Sequence, residues 1–413
     1  MKVFKFGGAS VKDAEGVRNL ASIISKFEKE KLLIVVSAMG KMTNALEIIS
    51  TLGHAGKDYS KELDAFREYH QNIIEALVIH VNLDYYIDMI IQNLEANKSF
   101  SFPKYYDQVV SVGELISTTI VSNYLNANQI GNEWVDARDL ISTDDTWREG
   151  TVDLEKTEEN ILKTIPEKLS KTNIITQGFI GKTLTGETTT LGREGSDYTG
   201  AIFSNMLNAE GLWIWKDVPG VLTADPKLFS DAEKLPELTY YEAIEMTYNG
   251  AQVIHPKTLS PLQKKQIPLF VKSFVKPDLP GTVIESDDKL INYPPIIVLK
   301  KDQVLMSIKP SDFTFVGEEH LQHIYSVFAR HHLKMNMIQI AALTISVVVD
   351  NNLYKIEPVL SELNRLYKVK ENSGLELLTI RHFNEHILFK LTENRNIYLE
   401  QWTRNTVQFV YEG

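Results

Sequence analysis

The chain has no cysteine, which excludes a disulfide scaffold, a cysteine nucleophile and a thiolate metal site. That absence fits a reducing compartment without requiring one. Nowhere does it reach the roughly 18 consecutive apolar residues of a membrane-spanning helix. Basic residues are in the minority: 43 Lys and Arg stand against 54 Asp and Glu, a net charge of −11. Such a balance argues against holding nucleic acid or an anionic membrane by bulk attraction, while leaving room for a local basic pocket. The opening MKVFKFGGAS does not read as a secretory leader, since its apolar run is broken by Lys5 and ends at Gly7. A cytoplasmic protein is the expectation. What is present is ordinary for a globular chain, 43% hydrophobic and 23% charged. A length of 413 residues then implies two or three domains.

Residues 2–6 (KVFKF) read as a strand, followed by two glycines and a helical pattern from about Val11 to Phe27. KLLIVVSA (Lys31 to Ala38) is a continuous apolar run rich in branched residues, as in a buried parallel strand. Apolar residues three and four apart make 44–126 mostly helical. Further strands fall at Val135, in TNIITQGFIG (Thr172 to Gly181), in LWIWKDV (Leu212 to Val218) and in IPLFVKS (Ile267 to Ser273), with a helix over 197–209. Alternating strands and helices of this kind predict an open, mostly parallel α/β sheet sandwiched by helices. The polar segment SDDKLINYPP (Ser286 to Pro295) reads as a linker. Beyond it the order strand, helix, two strands, helix, strand predicts a ferredoxin-like α+β region.

Several loops at strand ends are candidates for chemistry. KFGGAS places Lys5, Gly7, Gly8 and Ser10 where backbone N–H groups and a helix N-terminus can meet an anion. A tight turn with Ser10 as helix N-cap is the plainer reading. The loop matches neither the Walker nor the GxGxxG pattern. SAMGKMTN (Ser37 to Asn44) follows a buried strand, and ligands collect at such ends in open α/β sheets. SVGELIST (Ser111 to Thr118) puts Glu114 within an apolar helix, either facing solvent or pointing into a site. TTTLGREGSDYTG (Thr188 to Gly200) packs Arg193 and Glu194 between Gly192 and Gly195. Ser196 or Asp197 would cap a helix starting near Tyr198. Arg193 suits forked pairing with a carboxylate. WKDVPGVLTADPK (Trp215 to Lys227) could clasp a nucleotide or be a long surface turn. His255, alone before a proline, is expected to be structural. No group of residues is assigned to a metal.

Taken together and in this order, KFGGAS, SAMGKMTN, SVGELIST, TQGFIG with TTTLGREGSDYT, and KDVPGVLTADP resemble the aspartate kinases of the amino-acid kinase family. The resemblance covers about residues 1–285, followed by a linker at 286–297. Residues 298–413 resemble the paired ACT regulatory region of these enzymes. The second ACT unit is expected to lack one helix, because too little chain is left for two full units. The resemblance implies ATP-dependent phosphorylation of the L-aspartate side chain to 4-phospho-L-aspartate, the first step towards lysine, threonine and methionine. Lys5 and Asp197 would be catalytic. Thr43, Glu114, Phe179, Arg193 and Ser196 would bind aspartate. Lys5, Gly7, Gly8, Ser10, Lys216, Asp217, Leu222 and Lys227 would hold the nucleotide, with Mg2+ carried mainly by the ATP phosphates. A homodimer through the ACT region is implied. A related kinase with another acceptor, or a silent regulatory subunit, are the alternatives.

The chain departs from the family pattern in places. Ala9 replaces a usual threonine, Glu194 stands where glycine is frequent, Leu222 where many relatives have tyrosine, and Gln252 where many have lysine. Lysine-inhibited relatives carry an acid and then a Ser-Glu pair after the first ACT helix. Here those places hold Asn336, Ala341 and Ala342, so weak or absent lysine inhibition is expected.

Overall fold

The computed structural model describes residues 1–251, 254–286, 288, 291–312 and 314–413, so Gln252 lies outside the described residues. The chain forms two compact units. One takes Met1–Val221, Lys234–Ile244 and Val253–Lys289, and the other takes Leu222–Glu233, Glu245–Gln252 and Leu290–Gly413. Among the described residues no helix is long and apolar enough to cross a membrane.

The first unit carries strands β1 (Lys2–Phe6), β2 (Leu32–Val36), β3 (Asn132–Val135), β4 (Ser142–Thr143), β5 (Asn173–Gln177), β6 (Ile180–Thr183), β7 (Thr188–Thr190), β8 (Leu212–Lys216), β9 (Glu237–Thr239), β10 (Leu269–Ser273) and β11 (Thr282–Glu285). Its helices are α1 (Ala14–Ser25), α2 (Met42–His54), α3 (Ser60–Leu77), α4 (Leu83–Ala96), α5 (Phe102–Ala127), α6 (Leu154–Lys171), α7 (Gly195–Met206), α8 (Tyr240–Tyr248, whose last residues pass to the second unit) and α9 (Pro256–Lys264). The main sheet runs β3-β5-β2-β1-β8-β10-β11-β9. Neighbours from β3 to β10 are parallel, and β11 runs antiparallel to β10. All five residues of β2 are buried, which is why LLIVV shows no polar alternation: both faces of a parallel strand are covered. Phe6 of β1 stacks on Trp215 of β8, ring centroids 6.0 Å apart. Both rings are almost fully buried, and burying such a side chain stabilises by about 1.5–3 kcal/mol.

Two helix starts differ from the sequence expectation. Helix α1 begins at Ala14, with Asp13 as N-cap accepting from the Gly16 N–H. Ser10 is instead buried, its hydroxyl donating to the Trp215 carbonyl at 3.3 Å. The chain after β1 first closes a turn, the Ser10 N–H donating to the Gly7 carbonyl at 2.9 Å, and this delays the helix. Helix α7 begins at Gly195 with Glu194 as N-cap, so Ser196 and Asp197 lie inside its first turn rather than capping it.

The second unit has β12 (Ile296–Pro310), α10 (Glu318–Arg330), β13 (Met335–Ala341), β14 (Thr344–Asp350), α11 (Leu353–Leu363), β15 (Tyr367–Arg381), α12 (Glu385–Thr392), β16 (Ile397–Trp402) and β17 (Thr406–Glu412). Its sheet runs β13-β14-β12-β15-β17-β16, with all neighbours antiparallel. From β12 to β15 the order and pairing are ferredoxin-like. Past β15 the described residues hold one helix, α12, and two strands. Strand β12 starts at Ile296, inside the segment read as linker, because its first residues pair with the far end of β15, Ile296 with Arg381.

Candidate active site

The carboxyl ends of β1, β2, β5 and β8 point to one edge of the parallel sheet, and the loops leaving them interlock. Gly8 faces the loop after β2 so closely that an added Cβ would lie 2.5 Å from the Ala38 carbonyl oxygen. The Gly40 N–H, in turn, donates to the Gly8 carbonyl at 2.9 Å. Only a residue without a side chain permits that contact. After β5, a Cβ on Gly178 would fall 2.4 Å from the Ser196 Cβ, so this loop presses against the first turn of α7. Phe179 follows in a left-handed conformation, φ +72, held by its N–H donating to Thr199 Oγ1 at 3.1 Å. Helix α5 crosses behind and presents Glu114.

These pieces line an open cavity of about 300 Å³, formed by Lys5, Gly8, Ser37, Ala38, Gly40, Thr43, Glu114, Phe179, Gly192, Glu194, Gly195, Ser196, Asp197 and Lys216. Asp197 is buried between two ammonium groups, Lys5 Nζ at 2.6 Å from Oδ1 and Lys216 Nζ at 3.5 Å from Oδ2. Burial alone would raise its carboxyl, but Lys5 and Lys216 outweigh it and hold it below the ordinary range. Glu114 is the opposite case. Burial pushes its carboxyl up to about 8, against the lowering effects of the Ala38 N–H and the Lys5 charge. Its Oε2 is buried and has no hydrogen-bond partner among the described residues. Buried acceptors are rarely left unpaired, and an orphan facing a cavity is a place for a donor to arrive. The cavity therefore offers both cations for phosphate and an acceptor for a cation.

Of the residues singled out by sequence, Lys5, Gly8, Thr43, Glu114, Phe179, Ser196, Asp197 and Lys216 line this one cavity. Gly7 lies beside it, where an added Cβ would sit 3.5 Å from Lys5 Nζ. Ser10 is turned away towards Trp215. Arg193 occupies the turn between two lining residues but is exposed, with no ion pair among the described residues. Asp217 follows β8 in the turn after Lys216. Leu222 and Lys227 belong to the second unit's segment Leu222–Glu233, where the Ile297 N–H donates to the Thr223 carbonyl at 2.7 Å. His255 is the N-cap of α9, its Nδ1 accepting from the Lys257 N–H at 3.2 Å. Sequence reasoning missed Asp107. This fully buried carboxylate of α5 accepts from the N–H groups of Arg148 and Thr190 and from the Thr190 hydroxyl, so it fixes the strand leading into Gly192. Burial pushes its carboxyl up to about 6, against those hydrogen bonds. The available signal was its place two helical turns before Glu114, on the same face.

The model of the amino acid kinase family matches residues 1–273. Lysine-sensitive aspartokinase 3 of Escherichia coli K12 is 32% identical over 392 residues, spanning 92% of this chain and 86% of that protein. The chain belongs to the aspartokinases of the amino acid kinase family. The aspartokinase of Chlamydia pneumoniae is 29% identical over 357 residues, 86% of this chain and 79% of its own. Among solved structures, E. coli aspartokinase III in complex with aspartate and ADP superposes with a TM-score of 0.85 at 28% identity, covering 100% of this chain and 96% of that one. The Clostridium acetobutylicum aspartate kinase gives a TM-score of 0.81 at 26% identity with the same coverage. For an aspartokinase, a cavity lined by both a lysine pair and a buried carboxyl has the groups its two substrates need.

Proposed function

We propose that the chain transfers the γ-phosphoryl group of ATP to the side-chain carboxylate of L-aspartate, giving ADP and 4-phospho-L-aspartate. Family membership supports the reaction. The observation that carries its assignment to this cavity is the meeting of Lys5, Lys216 and Asp197 with the unpartnered oxygen of Glu114. In the step, a carboxylate oxygen of aspartate bonds to the γ-phosphorus while the bond from that phosphorus to the β–γ bridging oxygen breaks, and ADP leaves with the electron pair. The acceptor is already ionised at neutral pH, so no general base is needed. Phosphoryl transfer then depends on positioning and charge neutralisation.

Lys5 holds the transferring group and Lys216 the nucleotide phosphates, with Gly7 and Gly8 leaving backbone donors accessible. Asp197 orders the two lysines rather than accepting a proton. Glu114 receives the ammonium group of aspartate, beside Thr43, Ser196 and Phe179. Arg193, exposed at the turn, forks onto the α-carboxylate of aspartate when the substrate enters. Asp217 holds the rest of the nucleotide, and Ser10 supports the phosphate turn from behind. Mg2+ supplies charge neutralisation on the triphosphate. Both oxygens of Asp197 face lysines, so the donor set fits a metal brought by the nucleotide. Residues 298–413 act as an ACT-type region joining two copies, in a cytoplasmic enzyme.

A coupled assay of ADP release with L-aspartate, with L-glutamate and with neither tests the reading. Turnover with aspartate alone is expected. Preference for glutamate would indicate a related kinase, and no turnover with either would indicate a silent subunit.

A further inference from the structure

Glu194 is the residue of the Gly192–Gly195 turn that a simple turn does not require. It sits in the left-handed region, φ +53, where a residue with a side chain is strained and glycine is not. Both ends of the residue are used. Its carbonyl accepts from the N–H groups of Asp197 and Tyr198 at 3.0 and 3.1 Å and so starts α7. Its Oε2 accepts from the His255 backbone N–H at 3.0 Å, at the N-cap of α9. First-turn N–H groups of a helix lack intrahelical partners and carry partial positive charge, so a carboxylate is well placed there. One residue thereby joins the starts of two helices. It also lines the cavity that holds Lys5, Glu114 and Asp197, where an untethered carboxylate would repel the phosphates and carboxylates of both substrates.

We propose that Glu194 is a positioning residue for the reaction: its bond to the His255 N–H locks the Gly192–Gly195 turn, aims Arg193 and Ser196 at aspartate, and keeps its own charge away from the substrates. This rests on the aspartate kinase reading of the cavity.

The test compares Glu194→Gly, which relieves the backbone and removes the tether, with Glu194→Gln, whose amide oxygen can still accept. In the whole chain, Glu194→Gly is expected to raise KM for L-aspartate about tenfold while kcat changes less than about threefold. Its Tm should stay level or rise, and exchange of the His255 amide hydrogen should accelerate about tenfold. Glu194→Gln should stay within about threefold of the wild type in KM and in amide exchange. An unchanged or lowered KM in Glu194→Gly, a fall in Tm without a rise in KM, or equal impairment of both variants would overturn the proposal. So would unchanged His255 exchange in Glu194→Gly, a result that does not depend on turnover. Absence of wild-type turnover with aspartate would count against the functional reading instead, and the exchange data would then decide whether the tether exists.

Discussion

Each unit contains a polar cluster, buried in the first and partly exposed at Asp350 in the second, and the two are built differently. In the first unit Lys5, Lys216, Asp197 and Glu114 line one cavity, and the Glu114 Oε2 is left without a partner. In the second, Lys300 Nζ donates to Asn336 Oδ1 at 2.8 Å, and the Asn336 amide donates to Gln303 Oε1 at 2.9 Å and to Asp350 Oδ1 at 2.8 Å. The Gln303 amide closes the network on Asp350 at 3.0 Å. Both amide side chains are engaged at oxygen and nitrogen. A saturated network specifies and rigidifies a fold, while an unsatisfied buried group beside a cavity awaits a ligand. The contrast assigns chemistry to the first cluster and architecture to the second, although both mix lysine with carboxylate.

The largest effect that could break this contrast comes from Asp197→Ala. With their common carboxylate gone, Lys5 and Lys216 lose the group that orders them. Turnover should fall by roughly 10²–10³-fold while the circular dichroism spectrum keeps its native shape. Activity within tenfold of the wild type would remove Asp197 from the site.

Next is Glu114, whose carboxyl is raised to about 8 by burial, so in the free protein near neutrality it is mostly protonated. The aspartate ammonium favours the ionised form, and binding below pH 8 must therefore release a proton. KM for L-aspartate should fall as pH rises from 6 towards 8, by at most about tenfold per unit, and titration calorimetry in buffers of different ionisation enthalpy should register the released proton. Glu114→Gln should flatten the pH dependence and weaken aspartate binding. The same raised value bears on folding: the stability Glu114 contributes is full below its unfolded pKa and is lost as pH rises through about 8.

Smaller effects are expected from the saturated cluster. Asn336→Ala strands Lys300 Nζ and Gln303 Oε1, so stability should drop by about 1–3 kcal/mol in denaturant unfolding while the aspartate KM holds. The smallest response should come from L-lysine itself. With Asn336 already engaged by Lys300, and Ala341 and Ala342 offering no charge, lysine should leave activity nearly unchanged, and half-inhibition at sub-millimolar lysine would sink this expectation.

Much of the first cluster was legible in the chain because its parts lie at strand ends. A buried run such as LLIVV followed by small residues marks a carboxyl-terminal edge by local pattern alone, and Lys5, Gly8, Thr43 and Lys216 were placed that way. Asp107 was not, since a carboxylate inside a helix reads the same whether it meets solvent or a distant strand. The cap of α7 was misplaced for a similar reason. Ser196 and Asp197 have the right chemistry for a cap, but the Glu194 carbonyl takes the first N–H groups and starts the helix earlier. The segment Leu222–Glu233 was read with the nucleotide loops, and the structure groups it with the second unit, where the Thr223 carbonyl accepts from the Ile297 N–H.

What the sequence determined by itself was therefore what periodicity and glycine spacing can carry: a parallel α/β unit, a ferredoxin-like unit, and the loops where an anion could sit. What only the tertiary structure decided were the states of the charges. Glu114 is raised and Asp197 is held down because burial is similar for both, but Asp197 is hydrogen-bonded by both lysines whereas Glu114 feels only the charge of Lys5. Glu194 was unexplained in the chain because its partner, the His255 N–H, lies 61 residues away. Desolvation and hydrogen-bond pairing depend on which elements meet in space, and no window of neighbouring residues contains that information.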